Sequence, residues 1–282
     1  MTTAPTFDAL PSLISAPPPL RKLADGFQFL EGPVWLPWAG GLLFSDIPAD
    51  RLYLWRPAAG LSVFRTPSHC ANGNTRDAAG NLLTCEHRTR RVSRTTPAGE
   101  YQILAEHYQG RRLNSPNDIT VRRRDGSIWF TDPPYGIRPD EQEQPAQYVF
   151  RLDTDGTLAA VASDFRKPNG LAFSPDEETL YVSDTDNACC HIRRFQLRPD
   201  NSLAGGEILA HVHPGKPDGF RLDGLGRLWT SAGDGIQILA PDDGRVLARI
   251  PVPEPPANCT FGGEDGRCLF ITARSALYAV AL

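Results

Sequence analysis

Ser115-Pro116-Asn117-Asp118-Ile119-Thr120-Val121 runs through Asp125-Gly126 into Ser127-Ile128-Trp129-Phe130-Thr131-Asp132, and this unit decides the fold. A polar pair opens a short β-branched run, Asp-Gly marks a turn, and a second β-rich run ends on a carboxylate. Asp-Gly between two such runs signals a hairpin, because the turn needs positive φ. The unit appears six times. It opens at Glu31-Gly32, Asn72-Gly73, Asn117-Asp118, Asn169-Gly170, Asp218-Gly219 and Asn258-Cys259, with opening residues 41, 45, 52, 49 and 40 positions apart. Fourteen or fifteen positions after each opening a second strand ends, at Asp46, Glu86, Asp132, Asp184, Ala232 and Ala273.

A β-rich, turn-punctuated period of this length is the mark of a propeller with one four-stranded blade per repeat. The expected fold is therefore all-β, a six-bladed β-propeller over residues 20–282. Helical solenoids have similar periods, but no stretch repeats apolar residues at helical spacing. The last unit has room for only three strands, near 258–264, 267–273 and 276–281. The stretch Lys22 to Leu30 precedes the first unit and is the expected donor of the missing fourth strand, since an open ring leaves an unpaired edge. Residues 1–19, with Pro5, Pro11 and Pro17-Pro18-Pro19, read as an extended leader.

Composition fits this reading. The chain has 282 residues, 40% hydrophobic and 22% charged, with 25 Gly and 26 Pro to supply turns. A net charge of −4 lacks the basic footprint of a nucleic-acid binder. No apolar run is long enough to span a membrane, and the start lacks a basic region followed by an apolar core. A cytoplasmic protein, monomer or dimer, with neither nucleic-acid nor membrane partners is the expectation. The six cysteines have no zinc-type spacing and read as buried thiols, not a disulfide framework. Arg122-Arg123-Arg124 reads as a solvated hairpin tip.

In a propeller each innermost strand starts near the axis, so the opening residues form a ring: Glu31, Asn72, Asn117, Asn169, Asp218 and Asn258. Carboxylates and carboxamides alone suit a hard divalent cation, calcium first and magnesium or manganese next, and argue against zinc as the preferred ion. The carboxylates Asp46, Glu86, Asp132 and Asp184 return to the same mouth one strand further out, where they are expected to bind turn amides. His69 and His87 end the hairpin of the second unit and are candidate pocket residues. Tyr135, in Asp132-Pro133-Pro134-Tyr135-Gly136, sits in a loop that could lean over the mouth and stack on a sugar ring. The polar loop from Ile137 to Gln147 reads as a flexible cover.

Glu31-Gly32-Pro33-Val34-Trp35, Asn117-Asp118, Lys167-Pro168-Asn169-Gly170-Leu171-Ala172-Phe173-Ser174-Pro175-Asp176 and Pro217-Asp218-Gly219 occur in an order that resembles the senescence-marker-protein / gluconolactonase / luciferin-regenerating-enzyme family. Leu113-Asn114-Ser115-Pro116-Asn117-Asp118 with Phe130-Thr131-Asp132-Pro133-Pro134-Tyr135-Gly136 looks like its bacterial gluconolactonase branch. The resemblance implies one divalent metal in the central mouth, usually calcium, held by Glu31, Asn169 and Asp218. Asn117 would be a further ligand or substrate contact, and Asp218 would double as general base. Animal members carry an arginine where this chain has Ser115, so Ser115 stands at a substrate-contact position with altered chemistry. The activity implied is metal-dependent hydrolysis of a sugar lactone of the glucono-δ-lactone type, with zinc also admitted as an ion. The alternatives are hydrolysis of other lactones, aryl esters or phosphotriesters on the same metal, and a non-catalytic calcium-binding propeller. No G-x-S-x-G stretch supports a serine nucleophile.

Overall fold

The computed structural model describes residues 19–282. The leader expected over residues 1–19 lies outside them except for its last residue. Among the described residues, twenty-six strands form six four-stranded antiparallel sheets and one two-stranded ribbon. The first blade holds β2 (Leu30–Leu36), β3 (Gly41–Asp46), β4 (Arg51–Arg56) and β5 (Gly60–Arg65). The second holds β6 (Ala71–Arg76), β7 (Leu82–Glu86), β8 (Arg91–Thr95) and β9 (Tyr101–Ala105). The ribbon β10 (His107–Tyr108) and β11 (Arg111–Arg112) follows. Then come β12 (Ile119–Val121), β13 (Ile128–Asp132), β14 (Gln147–Leu152) and β15 (Leu158–Phe165) as the third blade. The fourth blade is β16 (Pro168–Phe173), β17 (Thr179–Asp184), β18 (His191–Leu197) and β19 (Leu203–His211). The fifth is β20 (Phe220–Leu222), β21 (Leu228–Ala232), β22 (Gly235–Leu239) and β23 (Val246–Pro251).

The sixth blade takes β24 (Pro256–Gly262), β25 (Cys268–Ala273) and β26 (Ala276–Ala281) from the C-terminus and β1 (Arg21–Asp25) from the N-terminal side. β1 pairs antiparallel with β26, Arg21 opposite Ala279 and Asp25 opposite Ala276. The predicted donor strand is thus present but ends at Asp25, where Gly26 takes φ +87° and turns the chain inward. The inner strands β2, β6, β12, β16, β20 and β24 touch in sequence, and β24 meets β2. The ring is closed.

The hydrophobic core is divided into six clusters, one in each gap between neighbouring blades. Alternation explains this: each blade is buried on both faces, so both sets of side chains along a middle strand are apolar, as in Leu42-Leu43-Phe44 and Ile128-Trp129-Phe130. Trp129 and Trp229 are fully buried in two such gaps, and Trp35 stacks on Phe270 across the closing seam, ring centroids 5.6 Å apart.

Where the inner strands begin, their pairing is irregular between Glu31 and Val34, Ala71 and Asn74, Pro168 and Leu171, and Pro256 and Asn258. A glycine follows the opening residue in four blades because the next blade lies against it, with backbone at Gly32, Gly73 and Gly170 and the Asn258 side chain at Gly219. A Cβ on Gly73 would sit 2.5 Å from the Asn117 carbonyl oxygen, and one on Gly170 2.4 Å from that of Asp218. The Gly73 and Gly170 N–H groups donate to those same carbonyls.

Two expectations need correction. The Asp125-Gly126 turn is the end of a longer loop, and only Gly126 has positive φ. Arg122-Arg123-Arg124 is a solvated tip only in part, with Arg123 and Arg124 exposed but anchored. Arg122 is buried and binds Asp125 and Asn201, while the Glu177 carboxylate accepts the backbone N–H groups of Arg123 and Arg124. The run ties the third blade to the fourth.

Candidate active site

The starts of the inner strands, bulged in four of the six blades, bring the opening side chains to the axis. Glu31, Asn72, Asn117, Asn169 and Asp218 line one cavity of about 560 Å³ at the channel mouth. The sixth ring residue, Asn258, is not among the lining residues. It is buried, and its amide donates to Glu31 Oε2 at 3.0 Å while its own Oδ1 accepts the Cys259 N–H. Glu31 Oε2 also accepts the Gly32 N–H at 2.6 Å, which fixes the carboxylate's direction.

A carboxamide relay crosses the ring. Asn72 Nδ2 donates to Asn117 Oδ1 at 2.6 Å, and Asn117 Nδ2 donates to Asn169 Oδ1 at 2.7 Å. His87 Nε2 lies 3.2 Å from Asn72 Nδ2 and accepts from it when unprotonated. Burial holds the His87 imidazolium unfavourable, with its pKa lowered to about 4, so that acceptor nitrogen is free at neutral pH. The relay fixes which way each amide points, and leaves one carbonyl lone pair on Asn117 and on Asn169.

Anionic charge accumulates at the centre. Burial pushes the Asp218 carboxyl up to about 7, with the Asp118 carboxylate adding to it. Burial, then Asp218 and Asp118, raise Glu31 well above the carboxylate range. Asp118, below the mouth, has its nearest cationic group in Arg221 at 3.8 Å. Buried carboxylates that raise one another in this way are the arrangement a cation relieves. Two carboxylates and two carboxamide oxygens with no sulfur or nitrogen donor fit a hard divalent ion.

The remaining predicted residues separate into two groups. His87 and Tyr135 line the cavity. Tyr135 is half-exposed, bonds Thr185 through its hydroxyl, and carries Lys167 Nζ 5.8 Å from its ring centre. Ser115 and His69 are not among the lining residues. Ser115 is fully buried and its Oγ accepts the Gly136 N–H at 2.9 Å, so it holds the root of the Tyr135 loop. His69 is half-buried at φ +61°, and its carbonyl accepts the Arg88 N–H.

The outer carboxylates bind turn groups. Asp46 accepts the Gln28 and Phe29 N–H groups, Asp132 those of Asn114 and Ser115, and Asp184 those of Arg166 and Lys167. Glu86 differs, binding the side chains of Thr89, Arg91, Ser93 and Tyr101. The loop from Ile137 to Gln147 is pinned at its far end: Glu143 accepts the Arg112 N–H, and buried Gln144 donates to the carbonyls of Tyr108, Arg111 and Arg112.

Sequence reading missed Thr185, Lys216 and Arg274, which also line the cavity, and the apolar wall of Phe29, Ile47, Pro48, Pro255, Pro256 and Ala257. These residues sit in or beside blade connections, where no repeat places them. Their one shared signal is position: each falls within a few residues of a strand end at the mouth face.

The whole of this core corresponds to a known family. Residues 29–275 match the model described as the SMP-30/Gluconolactonase/LRE-like region, and the chain belongs to that family. It is 35% identical to a gluconolactonase from Zymomonas mobilis, covering 94% of this chain and 81% of that protein. It is 30% identical to a 6-deoxy-6-sulfogluconolactonase from Pseudomonas putida, covering 86% and 82%. A solved gluconolactonase structure from Xanthomonas campestris superposes with a TM-score of 0.90 at 39% identity, over 99% of this chain and 94% of that one.

Proposed function

We propose that this protein is a hydrolase that opens a sugar lactone of the glucono-δ-lactone type to its acid. We assign it a divalent cation, calcium first, held by Glu31, Asn117, Asn169 and Asp218. The observation that carries the reading is the convergence of these oxygen-bearing side chains, from four different blades, on one cavity. Two similar proteins named as gluconolactonases, at 35% and 39% identity, support the substrate class.

When bound, the cation supplies Lewis acidity toward the carbonyl oxygen and a lowered pKa for water. The chain's own groups do the rest. Asp218 accepts the proton of the attacking water as its oxygen adds to the lactone carbonyl carbon. Collapse of that adduct breaks the ring C–O bond as Asp218 passes its proton to the ring oxygen, which leaves as a hydroxyl and returns Asp218 to its carboxylate. The product is an open hydroxy acid, which releases one proton to solvent. Amide hydrogens of Asn117 and Asn169 not used in the relay orient substrate hydroxyls or the developing oxyanion. Tyr135 and the apolar residues Phe29, Ile47 and Pro256 line the same cavity and offer surfaces on which a sugar ring can pack.

Acid release from glucono-δ-lactone in a pH-stat, above the spontaneous rate, tests the reading. Aryl acetates and a phosphotriester run alongside address the broader ester-hydrolase alternative. Turnover of esters without the lactone would displace the sugar assignment. No turnover of any substrate would leave a cation-binding propeller.

A further inference from the structure

We propose that Asp184, Cys189 and His191 form a second metal site, outside the channel-mouth centre, that takes a borderline-soft divalent ion, zinc. The three donor atoms lie within 4.8 Å of one another. All come from one hairpin. Asp184 ends β17, His191 opens β18 directly opposite it in the ladder, and Cys189 stands in the turn between them. Carboxylate, thiolate and imidazole together form a zinc-type donor set. The four ligands assigned at the mouth, Glu31, Asn117, Asn169 and Asp218, all present oxygen, so the two donor sets differ in softness.

The surroundings are built for ligation. Asp184 is buried, and its carboxylate accepts N–H groups of Arg166 (2.8 Å), Lys167 (3.0 Å) and Asp186 (3.1 Å), the kind of outer support that orients a ligating carboxylate. The turn is closed by the Cys189 and Cys190 N–H groups on the Asp186 carbonyl. That turn separates the neighbouring thiols: Cys190 Sγ contacts the carbonyls of Asp186 and Asn187, while Cys189 Sγ belongs to the donor cluster. Cys189 and His191 are half-buried, so an ion can reach them. His211 stands opposite His191 on β19 with ring centroids 5.7 Å apart and offers a further donor for a fourth position, which otherwise falls to water. Thr185, the next residue after Asp184, bonds Tyr135 at the cavity. An ion here therefore fixes the strand end on which the Tyr135 loop rests.

Cobalt(II) titration of the full-length, chelator-stripped, reduced protein tests the assignment, because a thiolate–cobalt bond gives a near-ultraviolet charge-transfer band. The expected result is one equivalent of cobalt with that band, bleached by stoichiometric zinc. The band is lost in Cys189→Ser and reduced in His191→Asn, but kept in Cys190→Ser and Asp218→Asn. Circular dichroism of each variant separates a lost ligand from a lost fold. Absence of the band in the folded wild-type protein overturns the proposal. So does its survival in Cys189→Ser, or its loss in a folded Asp218→Asn protein.

Discussion

Burial raises the pKa of both Asp218, to about 7, and Glu31, whereas the proposed chemistry needs Asp218 ionised to accept a proton. Replacing Asp218 by Asn preserves shape and hydrogen-bonding reach while removing charge and basicity. We expect Asp218→Asn to lower kcat by about 10²–10⁴-fold, the range of a general base, with the fold unchanged by circular dichroism. Glu86 makes the opposite use of a buried carboxylate. Burial by itself would raise its pKa, but hydrogen bonds from Thr89, Ser93, Arg91 and Tyr101 outweigh that and hold it below the ordinary value. A carboxyl lowered on folding stabilises the protein above its unfolded pKa of about 4.3, and that stability fades as pH falls through the lower folded value. Glu86→Gln should therefore cost roughly 2 kcal/mol near neutral pH. The gap between wild type and variant, read by denaturant unfolding, should hold above pH ~5 and narrow below pH ~4. A gap independent of pH would contradict the role given to the ionised carboxylate. At this scale spacing picked out the six residues that head a repeat, and five of them, Glu31, Asn72, Asn117, Asn169 and Asp218, line the cavity; the choice of four as ligands came from the family resemblance. Ser115 was not legible in this way, because neighbouring Asn117 in sequence says nothing of whether a side chain faces the cavity or the loop behind it. Cys189 and His191 escaped notice because Asp-x4-Cys-x-His matches no zinc spacing until a hairpin folds it.

At the scale of the element, strand ends were the most readable feature. The second strands end at Asp46, Glu86, Asp132, Asp184, Ala232 and Ala273, where turn residues and a change from apolar to polar character mark them. The starts were less regular, since β12 and β20 shrink to three residues each and the ring residues Asn117 and Asp218 precede them. In these two blades the pairing begins only after the ring residue, at Ile119 opposite Phe130 and at Phe220 opposite Thr230, while neighbouring blades crowd the axis. Gly73 shows the steric demand of that crowding: an added Cβ would lie 2.5 Å from the Asn117 carbonyl oxygen and 2.6 Å from the Asp118 Cα, both backbone atoms that cannot swing away. Gly73→Ala should destabilise by about 2–3 kcal/mol through overpacking. Because the displaced strand carries Asn117, it should also reduce activity; thermal unfolding and kcat/KM measured on one preparation check both effects. An alanine variant as stable and active as wild type would show that the ring tolerates wider spacing. The arginine run shows the limit of local reading, since its partners Glu177 and Asn201 come from the next blade.

For the whole molecule, closure was legible by counting: the last repeat lacked a strand and the first had one to spare. The Arg21–Asp25 strand covers the edge of β26, and Leu23 and Ala24 pack against the cluster that joins the sixth blade to the first. Removing residues through Asp25 would bare the hydrogen-bonding edge of β26. The truncated protein should melt several degrees lower and associate on size-exclusion chromatography, whereas an unchanged melting temperature and monodisperse elution would mean that the seam holds without β1. The six blades exist, on this account, to bring four oxygen-bearing side chains to one cavity around a cation. The measurement that tests this most directly is lactone hydrolysis by chelator-stripped protein before and after a divalent ion is restored, with Asp218→Asn in parallel. We predict that stripping abolishes acid release from glucono-δ-lactone, that calcium or another hard divalent ion restores it, and that no ion restores it in the variant. Full turnover by the stripped wild-type protein would contradict the account.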